Sequence, residues 1–323
     1  MLARKDTITV EGNTGGKIFD DIMQTIGNTP IVRLTRMMEK LGIENEILAK
    51  IEYFNPAGSV KDRPALGMID RLMASPEFNT KTEIIEPTSG NNGVACAWIC
   101  AIRNIPLTIV IPEHMSIERR KLMALYGANV VTTPKHLGTK GAIDHAAELV
   151  GQKANAVSLN QFSNQANVDT HYQSTAKEIL RDCDGDIDVF VAGIGTGGTI
   201  TGIAQALKEY NPKIQIVAVE PSACPVLSKG QAGVHKIQGL SSGHVPDILN
   251  LDIIDHICPI DDEQAIQYAR LLARVEGLPV GISSGAALAG CAQVASNPAF
   301  KGKRIVTLFA DTAERYFSTE LFE

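Results

Sequence analysis

The chain has 323 residues, 44% of them hydrophobic and 20% charged, with a formal charge of -6. That length exceeds one ordinary core and suits two α/β domains. The acidic balance leaves no general basic field, which excludes nucleic acid and anionic membrane surfaces as main partners, so any anion site must be local.

The opening residues 1–17, "MLARKDTITVEGNTGGK", hold no apolar core and no cleavage pattern, and read as a flexible polar arm rather than a secretory signal. No run approaches the length of a membrane span. The six cysteines form no CxxC pair and favour a reducing, cytoplasmic setting. Cys96 and Cys100 are spaced i,i+4, but no His or acidic residue accompanies them, so they read as core thiols rather than metal ligands.

In chain order, "EILAKIEYF" has the alternation of a strand and leads into "NPAGSVKDR", residues 55–63. Ser59 and Asp62 fit the [ST]-x-x-[DE] start of a helix, which predicts Lys61 in its first turn. A cation is disfavoured there by the helix dipole, so Lys61 is either a solvated lysine compensated by Asp62 or an amine with a depressed pKa, the form a Schiff-base lysine requires. Further strands are predicted at "TEIIEPT", "PLTIVIP", "NVVTT", "AVSLN", "DVFVAGI", "KIQIVAVEP", "LPVGIS" and "RIVTLFAD". Helical spacing separates them, as in "SIERRKLMALYG" and "DEQAIQYARLLARVEG". Alternating strand and helix predicts an α/β protein whose mainly parallel sheets are covered by helices. The expected division is a smaller domain over 51–165 and a larger one over 18–50 and 166–323.

Three turns between strand and helix carry chemistry. "EPTSGNNG" offers Thr88, Ser89, Gly90, Asn91 and Asn92 at a helix start, either as a nest for a carboxylate or as plain N-caps. "GIGTGGTITG" runs through Gly193, Gly195, Gly197 and Gly198 into a helix. It matches G-x-G-x-x-G, with Glu220 ending the next strand where a ribose-binding acid would sit, so a dinucleotide is one reading. Thr196, Thr199 and Thr201 crowd hydroxyls around the turn, which suits a terminal phosphate monoester. "GISSGAA" places Ser283 and Ser284 in the third turn.

With these motifs in hand, the sequence resembles the pyridoxal-phosphate cysteine synthase (O-acetylserine sulfhydrylase) and cystathionine β-synthase family. The resemblance runs from "IGNTPIVRL" through "NPAGSVKDRPA", "EPTSGNNG", "IPEHMSIERRKLMALYGA", "QFSNQAN", "GIGTGGTITGIA" and "GISSGAA" to "ADTAERYFSTELF". It implies the two-domain, tryptophan synthase β-like architecture of fold type II, with a phosphate monoester rather than a dinucleotide at the glycine loop. Lys61 resembles the lysine that holds the cofactor and then takes the substrate α-proton. Asn91 resembles the donor to the cofactor's ring oxygen, Gly195, Thr196, Gly197, Gly198 and Thr199 the phosphate loop, and Ser283 the serine facing the pyridine nitrogen. Thr88, Ser89, Gly90, Asn92 and Gln161 lie where the family binds the substrate.

The implied reaction eliminates the β-substituent of O-acetylserine to an aminoacrylate and adds sulfide to give cysteine and acetate. Cystathionine synthesis, cysteine or serine β-elimination, and binding of a serine acetyltransferase tail are the alternatives, and a homodimer is the implied assembly. Two stretches depart from the family: Asn92 stands where threonine is usual, and "AGVHKIQGLSSGHVPDIL" carries Ser241, Ser242 and His244. The amide of Asn92 is expected to donate to the substrate carboxylate.

Overall fold

The computed structural model describes residues 18–88 and 90–323, so the expected arm 1–17 and Ser89 lie outside the described residues. The chain enters through β1 (Ile31–Arg33), α1 (Thr35–Leu41) and β2 (Ile47–Ile51), then passes into α2 (Asp62–Met73). Next come β3 (Glu83–Pro87), α3 (Asn91–Arg103), β4 (Leu107–Pro112), α4 (Ile117–Leu125), β5 (Asn129–Thr133), α5 (Gly138–Gly151) and β6 (Ala156–Val157). The remainder is α6 (Gln165–Thr170), a π-helical turn His171–Thr175, α7 (Ala176–Asp182), β7 (Val189–Gly193), α8 (Gly198–Tyr210), β8 (Gln215–Pro221) and α9 (Val226–Lys229). It closes with β9 (His256–Ile260), α10 (Asp262–Val275), α11 (Ile282–Ser296) and β10 (Ile305–Phe309).

Two sheets result. One has the order β5-β4-β3-β6 and is parallel throughout. The other has the order β1-β2-β10-β7-β8-β9 and is parallel except for β1 against β2. The central strands of both are buried on both faces, which is why they read as unbroken apolar runs. Along β7, Val189 and Val191 pack into one core while Phe190 and Ala192 pack into another. Ile84 and Ile85 of β3 divide in the same way between the two faces of the smaller sheet. Among the described residues no helix is long and apolar enough to cross a membrane.

Three local expectations are corrected. The strand predicted at "AVSLN" stops at Val157, because the backbone N–H groups of Leu159 and Asn160 turn to the Glu86 carboxylate instead of a neighbouring strand. "LPVGIS" forms only an isolated bridge between Val280 and Thr312 before α11 begins at Ile282. Lys61 stands at the N-cap of α2, one residue before the predicted first turn. The Asp62 carboxylate accepts from the Ala57 N–H at 2.7 Å, while Ser59 lies 3.5 Å from it, so a turn closed by Asp62 replaces the expected capping box.

Arg63 ties this turn to the larger sheet. It is buried, and its guanidinium meets Glu52 at 2.7 and 2.9 Å and Glu178 of α7 at 2.7 Å through each terminal nitrogen. The buried amine of Lys50 also contacts Glu178, at 2.8 Å. Burial works against ionising Glu178, yet the hydrogen bond and charge of Arg63, helped by Lys50, hold its carboxyl down at about 2. Arg63→Met would strand the buried Glu52 carboxylate and leave Glu178 with Lys50 alone, and is expected to cost about 3–5 kcal/mol in urea unfolding, since removing one partner of a buried ion pair leaves the other uncompensated. Arg63→Lys should recover little, because an ammonium cannot reproduce the planar fork. A loss below 1 kcal/mol would show that the cluster does not hold the turn.

Candidate active site

A cleft of ≈ 410 Å³ is lined by residues that the sequence spreads over more than two hundred positions, from Val60 to Tyr316. Lys61, Thr88, Gly90, Asn91, Asn92, Gln161, Gly195, Thr196, Gly197, Thr199 and Ser283 all line it. Gly198 starts α8 directly behind the loop. The strand ends explain the convergence: β3 and β7 each run straight into a turn and then into the N-terminus of a helix, and such carboxyl ends are where open α/β sheets leave a crevice.

The glycine loop is shaped by close approach. A Cβ on Gly195 would lie 2.4 Å from the Gly239 carbonyl oxygen, and Gly197 has φ +86°, a left-handed conformation that side chains resist. Thr196 is buried, and its Oγ1 accepts from Asn167 at 3.0 Å. Thr199 Oγ1 lies 3.2 Å from Nε2 of His171, a buried imidazole pushed well below its ordinary range by burial and by the nearby Lys61 and Arg63 charges. These hydroxyls and the first N–H groups of α8 form an anion cradle. Glu220 does not serve it: its carboxylate accepts from the N–H groups of Leu227 and Ser228, at 2.8 and 3.2 Å, and caps α9.

At the other sheet, Gly90 is required by packing, because a Cβ there would meet Arg119 at 2.8 Å. Thr88 Oγ1 accepts the Gly90 N–H at 3.1 Å, which leaves its own O–H free to donate. Gln161 reaches the Pro87 carbonyl at 3.4 Å. The Asn91 amide is held at both ends, donating to Asp311 at 2.6 Å and accepting from Arg315 at 2.7 Å, so one N–H remains. Asn92 differs from expectation: its Nδ2 turns toward Glu86 at 3.4 Å, and its buried Oδ1 has no partner.

Ser283 and Ser284 sit in the first turn of α11 rather than in a loop, and Ser284 Oγ accepts from the Ala310 N–H at 3.0 Å. Ser241 and Ser242 line the cleft, the former with its N–H on the Ile194 carbonyl at 2.8 Å. His244 is exposed.

Burial pushes the Lys61 amine down to about 8, opposed by the Asp311 carboxylate. Asp311 and Arg119 were not singled out from the sequence. Arg119 is buried, donates to Gln238 at 2.8 Å, lies 3.5 Å from Asp311 and stacks 4.7 Å over the Tyr316 ring. Asp311 also accepts from the Tyr316 hydroxyl at 2.8 Å, while its Oδ1 is unpartnered. Only the adjacent arginines of "SIERR" and the lone acid of "FADT" hinted at them, and both look like surface charge in one dimension.

This arrangement fits pyridoxal phosphate. An amine brought down toward neutral pH suits its carbonyl carbon, the cradle at Gly195–Thr199 suits its phosphate, the spare Asn91 N–H suits a ring oxygen, and Ser283 offers an uncharged hydroxyl to a ring nitrogen.

The comparisons agree. The sequence profile described as pyridoxal-phosphate dependent enzyme matches residues 22–311. Cysteine synthase B of Campylobacter jejuni is 47% identical over 306 residues, covering 95% of this chain and 99% of that one. The crystal structure of a cysteine synthase from Entamoeba histolytica superposes with a TM-score of 0.93 at 36% identity, covering 98% of this chain and 94% of that one. A hydrogen sulfide-producing enzyme from Fusobacterium nucleatum superposes with a TM-score of 0.89 at 40% identity, covering 93% of this chain and all of that one. Identity at this level over nearly the whole length, on the same fold, places the chain in the cysteine synthase family of pyridoxal-phosphate dependent enzymes.

Proposed function

We propose that this protein makes cysteine by replacing the β-acetoxy group of O-acetylserine with sulfide, releasing acetate. The observation that carries the reading is Lys61, its amine lowered to about 8, in one cleft with a phosphate-type cradle and a carboxylate-type loop. Pyridoxal phosphate, when bound, supplies an electron-withdrawing ring that stabilises negative charge at the substrate Cα.

The protein's own residues do the rest. Thr88, Asn92 and Gln161, with Ser89 and Gly90, bind the α-carboxylate and orient the Cα–H bond toward Lys61. Lys61 Nζ takes that proton as a neutral amine, and the Asp311 carboxylate favours the ammonium so formed. Asn91, pinned between Asp311 and Arg315, keeps an N–H aimed in one direction. Ser283, in the cleft wall, would offer the ring nitrogen a hydroxyl that does not hold it protonated, which would favour prompt loss of the β-substituent over transamination.

The test is a donor panel with purified protein. O-Acetylserine with sulfide should yield cysteine faster than O-phosphoserine, serine or cysteine gives any product. Faster release of sulfide from cysteine would favour the reaction named for the Fusobacterium enzyme, the second reading.

The proposed assembly is a homodimer, supported by Ile18, Phe19 and Ile22 exposed at the start of the described chain. Free thiols at all six cysteines support a cytoplasmic setting. The carboxylate donors would also accept a peptide C-terminus, the form in which a serine acetyltransferase tail would compete with substrate.

A further inference from the structure

Glu86 lies beneath the substrate loop and is fully buried. Its two oxygens have unequal surroundings. Oε2 accepts from Ser158 Oγ at 2.9 Å, from the Leu159 N–H at 2.9 Å and from the Asn160 N–H at 3.3 Å. Oε1 meets Asn92 Nδ2 at 3.4 Å, and the Gln161 N–H also points at the carboxylate. The segment 158–161 thus faces Glu86 with donors only. From α3 it meets Asn92 and the thiol of Cys96, which burial and the neighbouring Glu86 push well above the ordinary range. Burial and hydrogen bonds, rather than a Lys, Arg or His, are the influences that act on it.

A buried carboxylate without a cation is costly, and the inexpensive relief is a proton on the less-solvated oxygen, Oε1. Burial does push Glu86 up to about 7, against the opposing effect of its hydrogen bonds. An Oε1–H needs an acceptor, and the nearest group, Asn92, can supply one by turning its amide half a revolution about χ2. The unpartnered Oδ1 would then face Glu86, and both N–H bonds of Nδ2 would face the cleft.

We propose that Glu86 decides which end of the Asn92 amide faces the cleft, and so couples binding of the substrate carboxylate to uptake of one proton at Glu86. With Glu86 anionic, Nδ2 is drawn to it and the amide, its Oδ1 buried in the cleft wall, offers a carboxylate no donor. With Glu86 protonated, the cleft meets N–H donors, which form charge-assisted bonds to it. Affinity for the carboxylate therefore falls as pH rises through the titration of Glu86. This rests on the assignment of Thr88, Asn92 and Gln161 to the carboxylate.

Propionate carries the carboxylate but no amine, so its binding to the cofactor-loaded protein isolates this subsite. Titration calorimetry should find it about tenfold weaker at pH 8 than at pH 6, the change expected for one linked proton titrating near 7. The heat should vary with buffer ionisation enthalpy by about half a proton at pH 7, rising toward one proton at pH 8. Other groups near the cleft also titrate, so the variants decide. Glu86→Gln keeps an acceptor for segment 158–161 and offers a permanent N–H to Asn92 Oδ1, and should bind propionate tightly with little pH dependence. Asn92→Thr has a hydroxyl that donates in either state, and should also flatten the profile. A slope surviving in Asn92→Thr overturns the coupling, even if Glu86→Gln fails to retain cofactor. Propionate that does not bind, or that binds equally well to Thr88→Ala, overturns the carboxylate assignment and the coupling with it.

Discussion

Lys61→Ala is expected to abolish cysteine formation, by on the order of 10⁴-fold or more, since it removes both the covalent tether and the base that moves the α-proton. The native protein should be yellow, and borohydride reduction followed by peptide mapping should place the pyridoxyl label on Lys61 alone. Label on another lysine would overturn the assignment. The pH dependence gives a second reading of the same residue. Only the neutral amine attacks the cofactor's carbonyl, and burial brings the Lys61 amine down to about 8. The rate at which cofactor-stripped protein recaptures pyridoxal phosphate should therefore climb about tenfold per pH unit below 8 and level off above it. For an unperturbed lysine the climb would continue to beyond pH 10. The stability term has a matching sign. Folding disfavours the ammonium, so this group's contribution to stability is smallest below pH 8 and grows as pH rises toward the unfolded value.

Gly195→Ala is the substitution expected to do most harm to cofactor binding while sparing the cores on the sheet faces. The added methyl would meet the Gly239 carbonyl at 2.4 Å, and backbone lies on both sides of that contact, so the cradle itself must open. A loss in cofactor affinity of at least a hundredfold is expected, measured by titrating pyridoxal phosphate into stripped protein. Thr196→Ala and Thr199→Ala each remove one donor to a charged acceptor, a loss on the order of 1.5–3 kcal/mol, or roughly ten- to a hundredfold. Thr88→Ala should leave cofactor affinity unchanged and weaken amino-acid binding. Equal losses of cofactor in Thr88→Ala and Thr196→Ala would dissolve this division between a phosphate end and a carboxylate end.

The elements most legible in the sequence are those whose signal is local. "PLTIVIP" and "DVFVAGI" are buried on both faces, so an unbroken apolar run of strand length is itself the mark of β4 and β7. The glycine loop is legible for the same reason, since Gly197 and Gly195 answer to a left-handed φ and to a backbone approach that few other residues tolerate. "LPVGIS" misled because its apolar residues serve the entry of α11 rather than a sheet, a difference of partners and not of composition. Lys61 was legible as an anomaly, a cation where a helix begins, but its environment was not.

The state of the Lys61 amine is set by burial, which lowers it, and by the Asp311 carboxylate, about 250 positions away along the chain, which opposes that. Arg119 and Arg63 look like helix-surface charges in sequence, yet the fold buries both, one over Tyr316 and the other between Glu52 and Glu178. Asn92 turns its amide to Glu86, only six residues earlier, but what leaves that carboxylate buried is the packing of segment 158–161 against it. Periodicity, turn chemistry and capping act between neighbours within a few residues, so the sequence by itself determines the α/β class and the glycine- and hydroxyl-rich loops at the strand ends. Burial and ion pairing depend on which side chains the packed sheets bring together, so the protonation and orientation of the groups in those loops were decided only by the tertiary structure.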